Sequence, residues 1–169
     1  MLKTGTIIIL SIIFLSFMVP EELIIPVKHA TKNDWNQSTF WAEPWGESGV
    51  HKGIDIFAPK GKEVVSSIYG IVISIGKANL GGNYIVILGP KCHLHYYAHL
   101  EDVNTSLGKL VSTSDVIGTI GNSGNAKGKV SQLHYEIWTP LPYIWRWDSS
   151  TQGWKKMFYI NPIQKLLNC

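Results

Sequence analysis

From residue 51 onward the chain consists of short runs rich in β-branched and aromatic residues, separated by clusters of Gly, Pro, Asn and Ser. This pattern is typical of β-strands joined by turns. Beyond residue 20, only Ile163–Leu167 has a helical period. We therefore predict an all-β domain. Its strands are expected at Glu63–Ile68, Gly70–Ile75, Tyr84–Leu88, His93–Tyr97, Val116–Ile120 and Leu133–Trp138.

Size and composition limit the remaining possibilities. A chain of 169 residues suits one domain with a targeting segment. A hydrophobic content of 45% and seven tryptophans indicate a packed core rather than disorder. The net charge of +3 comes from scattered Lys and Arg residues. No basic block is present that would follow a phosphate backbone, so we expect no nucleic-acid partner.

The N-terminus has the features of an export signal. Lys3 precedes an uncharged apolar run of 13 residues, 7–19, which Pro20 and two glutamates end. This run is shorter than the roughly 20 residues of a spanning helix. We predict that 1–20 is a signal peptide and that the protein is exported to the periplasm or cell envelope. Because no good cleavage site follows, an uncleaved anchor is the alternative, and it would be the chain's one link to a membrane.

The rest of the chain divides into three parts. We predict a linker at 21–34 and a single domain at 35–169, in which 35–50 is a loop packed on the sheet. An insertion at 138–159 is rich in Trp, Tyr and Pro. Its rings can pack as a hydrophobic flap, which is the commoner use, or stack on glycan rings. In an oxidising compartment Cys92 and Cys169 could pair.

His51 and Asp55 form a possible pair of metal ligands. They are four residues apart, and even spacing in a strand puts both side chains on one face. Gly53 between them allows the backbone to bend, so that both can reach one zinc ion at about 2 Å. Most isolated His-x3-Asp pairs are surface accidents, so this pair alone is weak evidence.

A second polar group lies in residues 132–138. Gln132, His134 and Glu136 alternate with apolar residues and therefore share one strand face. Such a face needs hydrogen bonds or a metal if it is buried, or it belongs to a solvated edge strand. Glu136 either orients a liganding imidazole or faces water. Two imidazoles and a carboxylate with one open position are typical of catalytic zinc.

Residues 92–100 hold three of the six histidines. In a regular strand His93, His95, Tyr97 and His99 lie on one face. Such a cluster can bind a metal, supply an acid or base near neutral pH, or form a polar sheet face. For His93 and His95 the polar face is the favoured interpretation.

Three segments resemble a known family in order and spacing, over about residues 45–138. His51–Gly61 is similar to the first metal motif of the M23 (lysostaphin/LytM-type) peptidoglycan endopeptidases. Gly82–Ile87 followed by Tyr97–Leu100 resembles that family's middle signature. Gly118–Asn125, continuing to Leu133–Glu136, resembles its last block.

The resemblance implies a fold, a cofactor and a substrate. The fold would be a compact antiparallel β-sheet with a groove. One Zn²⁺ per chain would be bound by His51, Asp55 and His134, and His99 would assist hydrolysis. The substrate would be the peptide part of peptidoglycan, which agrees with export.

The chain departs from the family at Gln132, where the family normally has the first histidine of His-x-His. A glutamine amide can hydrogen-bond water but cannot accept a proton near neutral pH. General acid–base catalysis is typically worth about 100- to 10,000-fold. We expect a zinc metalloendopeptidase of reduced activity, in which His99 or His95 takes over the proton. The alternative is a non-catalytic module that binds peptidoglycan or regulates another wall hydrolase.

The sequence leaves several points open. They are the peptide bond cut, removal of the signal, the role of Cys92, and whether residues 33–48 cover the fourth zinc position.

Overall fold

The computed structural model describes residues 4–167 of the chain. The possible pairing of Cys92 with Cys169 therefore lies outside the described residues. Two α-helices are present in this range, α1 at Thr4–Met18 and α2 at Pro162–Leu166. The Asn161 side chain caps α2 by accepting a hydrogen bond from the Ile163 amide at 3.0 Å. None of the helices in the described range has the length and apolar character needed to cross a bilayer.

The rest of the fold is a β-sheet, as predicted. Within residues 4–167 the strands are β1 Ile54–Phe57, β2 Glu63–Val65, β3 Gly70–Ala78, β4 Gly82–Leu88, β5 Leu94–Val103, β6 Leu110–Val111, β7 Val116–Ile120, β8 Gln132–Trp138 and β9 Tyr159–Ile160. All six predicted strands are present, some with shifted ends. The pattern missed β1, β6 and β9, because two- to four-residue strands carry too few alternating positions to stand out.

The sheet is antiparallel throughout, with the central order β1-β8-β5-β4-β3-β6. β7 joins β2 to the far half of β5, and β9 extends the edge of β8. Asp55 in β1 lies directly opposite His134 in β8, and Ala98 in β5 lies opposite His134 on the other side. The register therefore brings the first and last sequence motifs together at one point.

One face of the sheet carries the core. Leu133, Tyr135 and Ile137 of β8 are fully buried there, whereas the residues between them face a groove on the other side. Gly53 is required by the close approach of β1 to β8, because a Cβ at this position would lie 2.4 Å from the Tyr135 carbonyl oxygen. This reason differs from the backbone bend expected from the sequence.

Residues 21–34, predicted as a linker, pack against the sheet in the structure. The Ile24 amide donates to the Ser67 carbonyl at 3.0 Å, and the Val65 amide donates to the Pro26 carbonyl at 3.0 Å. Leu23 and Val27 are only 7% and 2% exposed. They are the two ends of an apolar run, Leu23–Val27, that contains Pro26 and does not alternate with polar residues, so it has no strand or helix period.

His93 and His95, expected to form a polar sheet face, are buried at 2% and 0% exposure. His93 Nδ1 lies 2.5 Å from Glu21 Oε1, and its Nε2 lies 3.1 Å from the Tyr143 hydroxyl. His95 Nδ1 lies 2.7 Å from the Tyr135 hydroxyl. These contacts join the N-terminal segment, β5 and the insertion.

The protonation of Glu21 and of His95 is strongly perturbed. Burial acts to raise the pKa of Glu21, but hydrogen bonds from His93 and Lys165 outweigh it and lower this pKa to about 2. Burial lowers the pKa of His95 to about 3. Glu21 is therefore a carboxylate and His95 a neutral imidazole at neutral pH.

Candidate metal centre and groove

Three predicted ligands meet at the β1–β8 pair. His134 Nδ1 lies 2.7 Å from Asp55 Oδ1, His51 Nε2 lies 3.2 Å from His134 Nδ1, and His51 Nε2 lies 3.3 Å from Asp55 Oδ1. The three atoms form a triangle among side chains that are at most 15% exposed. Among the described residues this is the one His/Cys/Asp/Glu group compact enough to hold a metal ion.

The His51 imidazole is held in the orientation that a metal ligand needs. Its Nδ1 lies 3.1 Å from the Thr39 carbonyl oxygen, which can only accept a hydrogen bond. Nδ1 therefore carries the proton, and the lone pair of Nε2 points at Asp55 and His134. The Trp45 ring stacks on the same imidazole, with centroids 4.1 Å apart, and fixes its plane.

The His134 imidazole lies between two carboxylates. Its Nδ1 faces Asp55, while its Nε2 lies 2.9 Å from Glu136 Oε1. Burial opposes protonation of His134, but the hydrogen bonds with Asp55 and Glu136 outweigh it and raise its pKa to about 10. The same histidine contacts hold the pKa of Asp55 well below its usual value, although burial acts to raise it. Asp55 and Glu136 thus stabilise a positive charge at this position.

The donor set fits zinc. Neighbouring ligands of a tetrahedral zinc ion with bonds of 2.0–2.1 Å lie about 3.3 Å apart. The three donor atoms are separated by 2.7–3.3 Å, so small movements would give this geometry. Each imidazole also has its distal nitrogen fixed by an oxygen acceptor, the usual second support of a zinc-bound histidine.

His99 faces the same site because β5 is irregular. Its φ of 63° produces a bulge, so that Leu100 pairs with Asn83 while Tyr97 pairs with Ile85. His99 therefore does not share the face of His95 and Tyr97, as a regular strand would require. Its ring lies 5.8 Å from the His134 ring.

A glycine-rich turn fixes the His99 tautomer. His99 Nδ1 lies 2.8 Å from the Ser123 carbonyl oxygen, so Nδ1 carries the proton and Nε2 keeps a lone pair. Gly124 has φ +67°, and a Cβ there would lie 2.3 Å from the Gly82 amide nitrogen. The turn can therefore approach β4 closely. Burial, followed by the charge of His134, lowers the pKa of His99 and favours the neutral form.

The site lies in a groove of about 1070 Å³. Gln132, His134 and Glu136 line it together, which confirms the predicted shared polar face of β8. Glu136 does not face water, since it is 9% exposed and accepts a hydrogen bond from Trp138 Nε1 at 2.5 Å. Other walls come from the β3–β4 hairpin, the 125–130 turn and residues 44–52.

The comparison with known families gives a decisive match. The model of peptidase family M23 matches residues 49–145, more than half of the chain. The chain belongs to peptidase family M23. The match includes all three candidate ligands, His99 and Gln132, and the family therefore covers the whole site.

Relatives within this family differ in their named roles. The chain is 32% identical over 136 residues to the L-Ala–D-Glu endopeptidase of Bacillus subtilis, covering 69% of this chain and 42% of the relative. It is 34% identical over 97 residues to the murein hydrolase activator NlpD of Escherichia coli, covering 56% and 25%. The chain thus spans less than half the length of these relatives.

Solved structures agree with the observed M23 fold. The catalytic domain of lysostaphin from Staphylococcus simulans is 30% identical with a TM-score of 0.53, over 56% of this chain and 72% of that one. A putative glycyl-glycine endopeptidase LytM from Ruminococcus gnavus aligns with a TM-score of 0.67 at 22% identity, over 93% and 65%. The second likeness concerns the fold alone.

The site also contains groups that sequence reasoning did not assign. The Thr39 and Ser123 carbonyls orient His51 and His99, and Trp45 and Trp138 support His51 and Glu136. Backbone acceptors have no side-chain signature. For Ser123, the sequence did contain an indication, the Gly-rich M23 block at 118–125. Several glycines in a short segment indicate a loop that packs closely against another backbone.

Proposed function

We propose that this chain is an exported zinc metalloendopeptidase that hydrolyses peptide bonds of peptidoglycan, with turnover reduced by Gln132. The observation that carries this proposal is the triangle of His51 Nε2, Asp55 Oδ1 and His134 Nδ1 on the floor of an open groove, beside His99. The name of the Bacillus subtilis relative, an L-Ala–D-Glu endopeptidase, supports a cell-wall peptide as substrate. The apolar α1 supports export, because a short apolar N-terminal segment is typical of a secretory signal. Export in turn agrees with peptidoglycan as substrate, since peptidoglycan lies outside the cytoplasm.

His51, Asp55 and His134 would hold one zinc ion per chain. When bound, zinc supplies a Lewis acid that polarises a peptide carbonyl and lowers the pKa of a water molecule. Thr39 and Glu136 orient the two imidazole donors, His51 and His134, before binding, so these two side chains need little further ordering. A peptide bound in the groove would lie over these donors, because all three residues line it.

His99 is the candidate general base. Because Ser123 holds the proton on Nδ1, the lone pair of Nε2 is available to accept a proton from the attacking water. The resulting imidazolium can return that proton to the leaving amine. One histidine would thus perform both proton transfers.

Gln132 supplies hydrogen bonds without proton transfer. It lines the groove two residues before His134, and its amide can orient water or the scissile carbonyl. The histidine usually found at this position can donate as a charged imidazolium, whereas glutamine donates only as a neutral amide. The tetrahedral oxyanion is therefore less well stabilised by Gln132. This is the physical reason for a slow enzyme with a complete ligand set.

A second function is favoured by the same residue. Gln132 would also suit a zinc-binding module that regulates another wall hydrolase, and the Escherichia coli relative is named a murein hydrolase activator. The two functions share the fold and the metal centre. They differ only in whether the groove turns over substrate.

The test is metal analysis of the full chain together with digestion of purified sacculi. We expect about one zinc per chain, and release of soluble peptide-bearing fragments that a chelator abolishes and added zinc restores. One zinc per chain with no release at high protein loading would replace the enzyme with the regulatory module. Absence of zinc under saturating conditions would overturn both.

A further inference from the structure

The insertion at 138–159 exposes an unusual concentration of large apolar side chains. Ile144, Trp145 and Trp147 are 69%, 75% and 60% exposed, and we call these three residues the aromatic tip. Trp154 and Leu141 of the same insertion are 54% and 43% exposed. Soluble domains seldom leave such a group in water unless it contacts a partner. The groove at the metal centre is lined by other residues, and none of the three tip residues is among them.

The tip is presented by a supported turn. Arg146 Nη1 donates to the Tyr159 carbonyl at 2.8 Å, and its guanidinium lies 4.9 Å from the centre of the Tyr143 ring. The Tyr143 amide donates to the Met157 carbonyl at 2.9 Å. These contacts tie the turn to residues 157–159 at the end of the insertion, so Trp145 and Trp147 project from a fixed base.

The tip and α1 lie at the same end of the domain. The two nitrogens of one imidazole, His93, contact Glu21 and Tyr143, and the Tyr143 ring lies 5.1 Å from the Trp145 ring. Glu21 follows α1 by three residues. The end of α1 also exposes Phe14, Leu15 and Met18 at 61–72%. The exposed end of α1 and the aromatic tip are therefore connected by one short series of contacts, Glu21–His93–Tyr143–Trp145.

The charge around the tip narrows the choice of occupant. The insertion holds three cations, Arg146, Lys155 and Lys156, and one carboxylate, Asp148. Asp148 forms an ion pair with Lys156 at 2.5 Å, so Arg146 and Lys155 have no carboxylate partner within the insertion. Lys155 lies 5.6 Å from the centre of the Trp154 ring. Tryptophans with neighbouring basic side chains are characteristic of the interfacial region of a bilayer, where the ring enters the headgroup layer and the cation meets anionic lipid.

We propose that the aromatic tip is a docking surface for an anionic lipid bilayer. Ile144, Trp145 and Trp147 enter the headgroup region, and the basic residues beside them contact anionic headgroups. The tip acts together with α1, or without it where α1 has been removed. It holds the domain against the membrane surface and is independent of whether the groove is catalytic.

The test uses the full chain with vesicles of phosphatidylcholine and phosphatidylglycerol that contain a brominated lipid, which quenches tryptophan emission on contact. We expect quenching in wild type, its loss in the Trp145→Phe/Trp147→Phe variant, and no such loss in Trp35→Phe, because Trp35 is 5% exposed in the core. Phosphatidylcholine alone or high salt should reduce the quenching.

A matched pair of surface variants separates the tip from general stickiness. Ile144→Glu should lower the quenched fraction several-fold, whereas Leu107→Glu, at a residue 68% exposed outside the insertion, should leave it unchanged. Vesicle-bound protein whose Trp145 and Trp147 emission is not quenched overturns the proposal. Two results for Ile144→Glu would also overturn it. Weaker binding to lipid-free sacculi would indicate a glycan site. Loss of a dimer in sedimentation would indicate self-association.

Discussion

Glu136 Oε1 lies 2.9 Å from His134 Nε2, on the side of the imidazole opposite Asp55. The other oxygen of the same carboxylate accepts a hydrogen bond from Trp138 Nε1. A chain of three β8 side chains therefore sets the orientation of one candidate ligand from within a single strand. Because such outer contacts fix the ring and increase its basicity, they contribute to metal affinity without touching the ion.

The Glu136→Gln variant tests this support. A glutamine can still accept from Nε2 but lacks the charge, and its amide cannot satisfy Trp138 at the same time. We expect zinc affinity to fall about 10- to 100-fold, measured by competition with a zinc indicator. Glu47→Gln, at an exposed carboxylate near the groove, is the control and should bind zinc as wild type does. Equal affinity of both variants would show that Glu136 does not support the ligand.

Gln132→His tests the proposed cause of slow turnover. The new imidazole would stand on the groove face of β8, two residues from His134, and would restore a group able to carry a proton. We expect hydrolysis of sacculi to rise about 100- to 10,000-fold, with the zinc content unchanged. If the variant binds zinc and still releases nothing, the limit lies elsewhere in the groove and the regulatory function gains support.

His99→Gln addresses the proposed base. It is best measured in the Gln132→His background, where the starting rate is highest. Loss of the Nε2 lone pair should lower kcat about 100- to 10,000-fold and leave zinc content intact, since His99 is not among the three donors. His29→Gln, at an exposed histidine that is distant from His99 in the sequence, should change neither kcat nor zinc content. A His99→Gln enzyme with full activity would remove His99 from the mechanism.

Part of the site followed from local patterns. Alternation in 132–138 predicted which side chains of β8 share a face, and it depends only on the two-residue period of a strand. The same period does not account for His51, which lies before β1 and reaches Asp55 through the irregular residues 51–53.

Other features depend on contacts between distant segments and left no local pattern. The bulge that turns His99 into the groove is held by a hydrogen bond from its amide to the Gly81 carbonyl at 2.7 Å. The burial of His93 depends on Glu21, 72 residues earlier, in a segment that has neither a strand nor a helix period. Strand period and composition report neither contact.

Gly53→Ala tests the close approach of β1 to β8. The added Cβ would lie 2.4 Å from the Tyr135 carbonyl oxygen and must push the strands apart at the metal centre. We expect unfolding free energy to fall by about 1–3 kcal/mol and zinc affinity to fall with it. Gly5→Ala in α1 is the matched control, because its Cβ meets nothing within 4 Å. Unchanged zinc binding in Gly53→Ala would show that the strand pair tolerates the separation.

The buried Glu21 and His95 predict how stability depends on pH. The pKa of His95 is lowered to about 3, so below about pH 6.5 the unfolded chain gains a proton that the folded protein does not. The pKa of Glu21 is lowered to about 2, so its stabilising contribution, complete above its ordinary pKa of 4.5, is lost as pH falls toward 2. Both effects lower stability on acidification, and His95 acts first.

We therefore expect the free energy of unfolding, from urea titrations at successive pH values, to decline as pH falls from about 6.5. The His95→Gln variant keeps an acceptor for the Tyr135 hydroxyl but cannot titrate. Between pH 6.5 and 4.5 its curve should be flatter than wild type by up to about 1.4 kcal/mol per pH unit, even if its stability at pH 7 is lower. His29→Gln should retain the wild-type slope, because this histidine is exposed. Parallel curves for wild type and His95→Gln would mean that His95 is not held neutral in the folded protein.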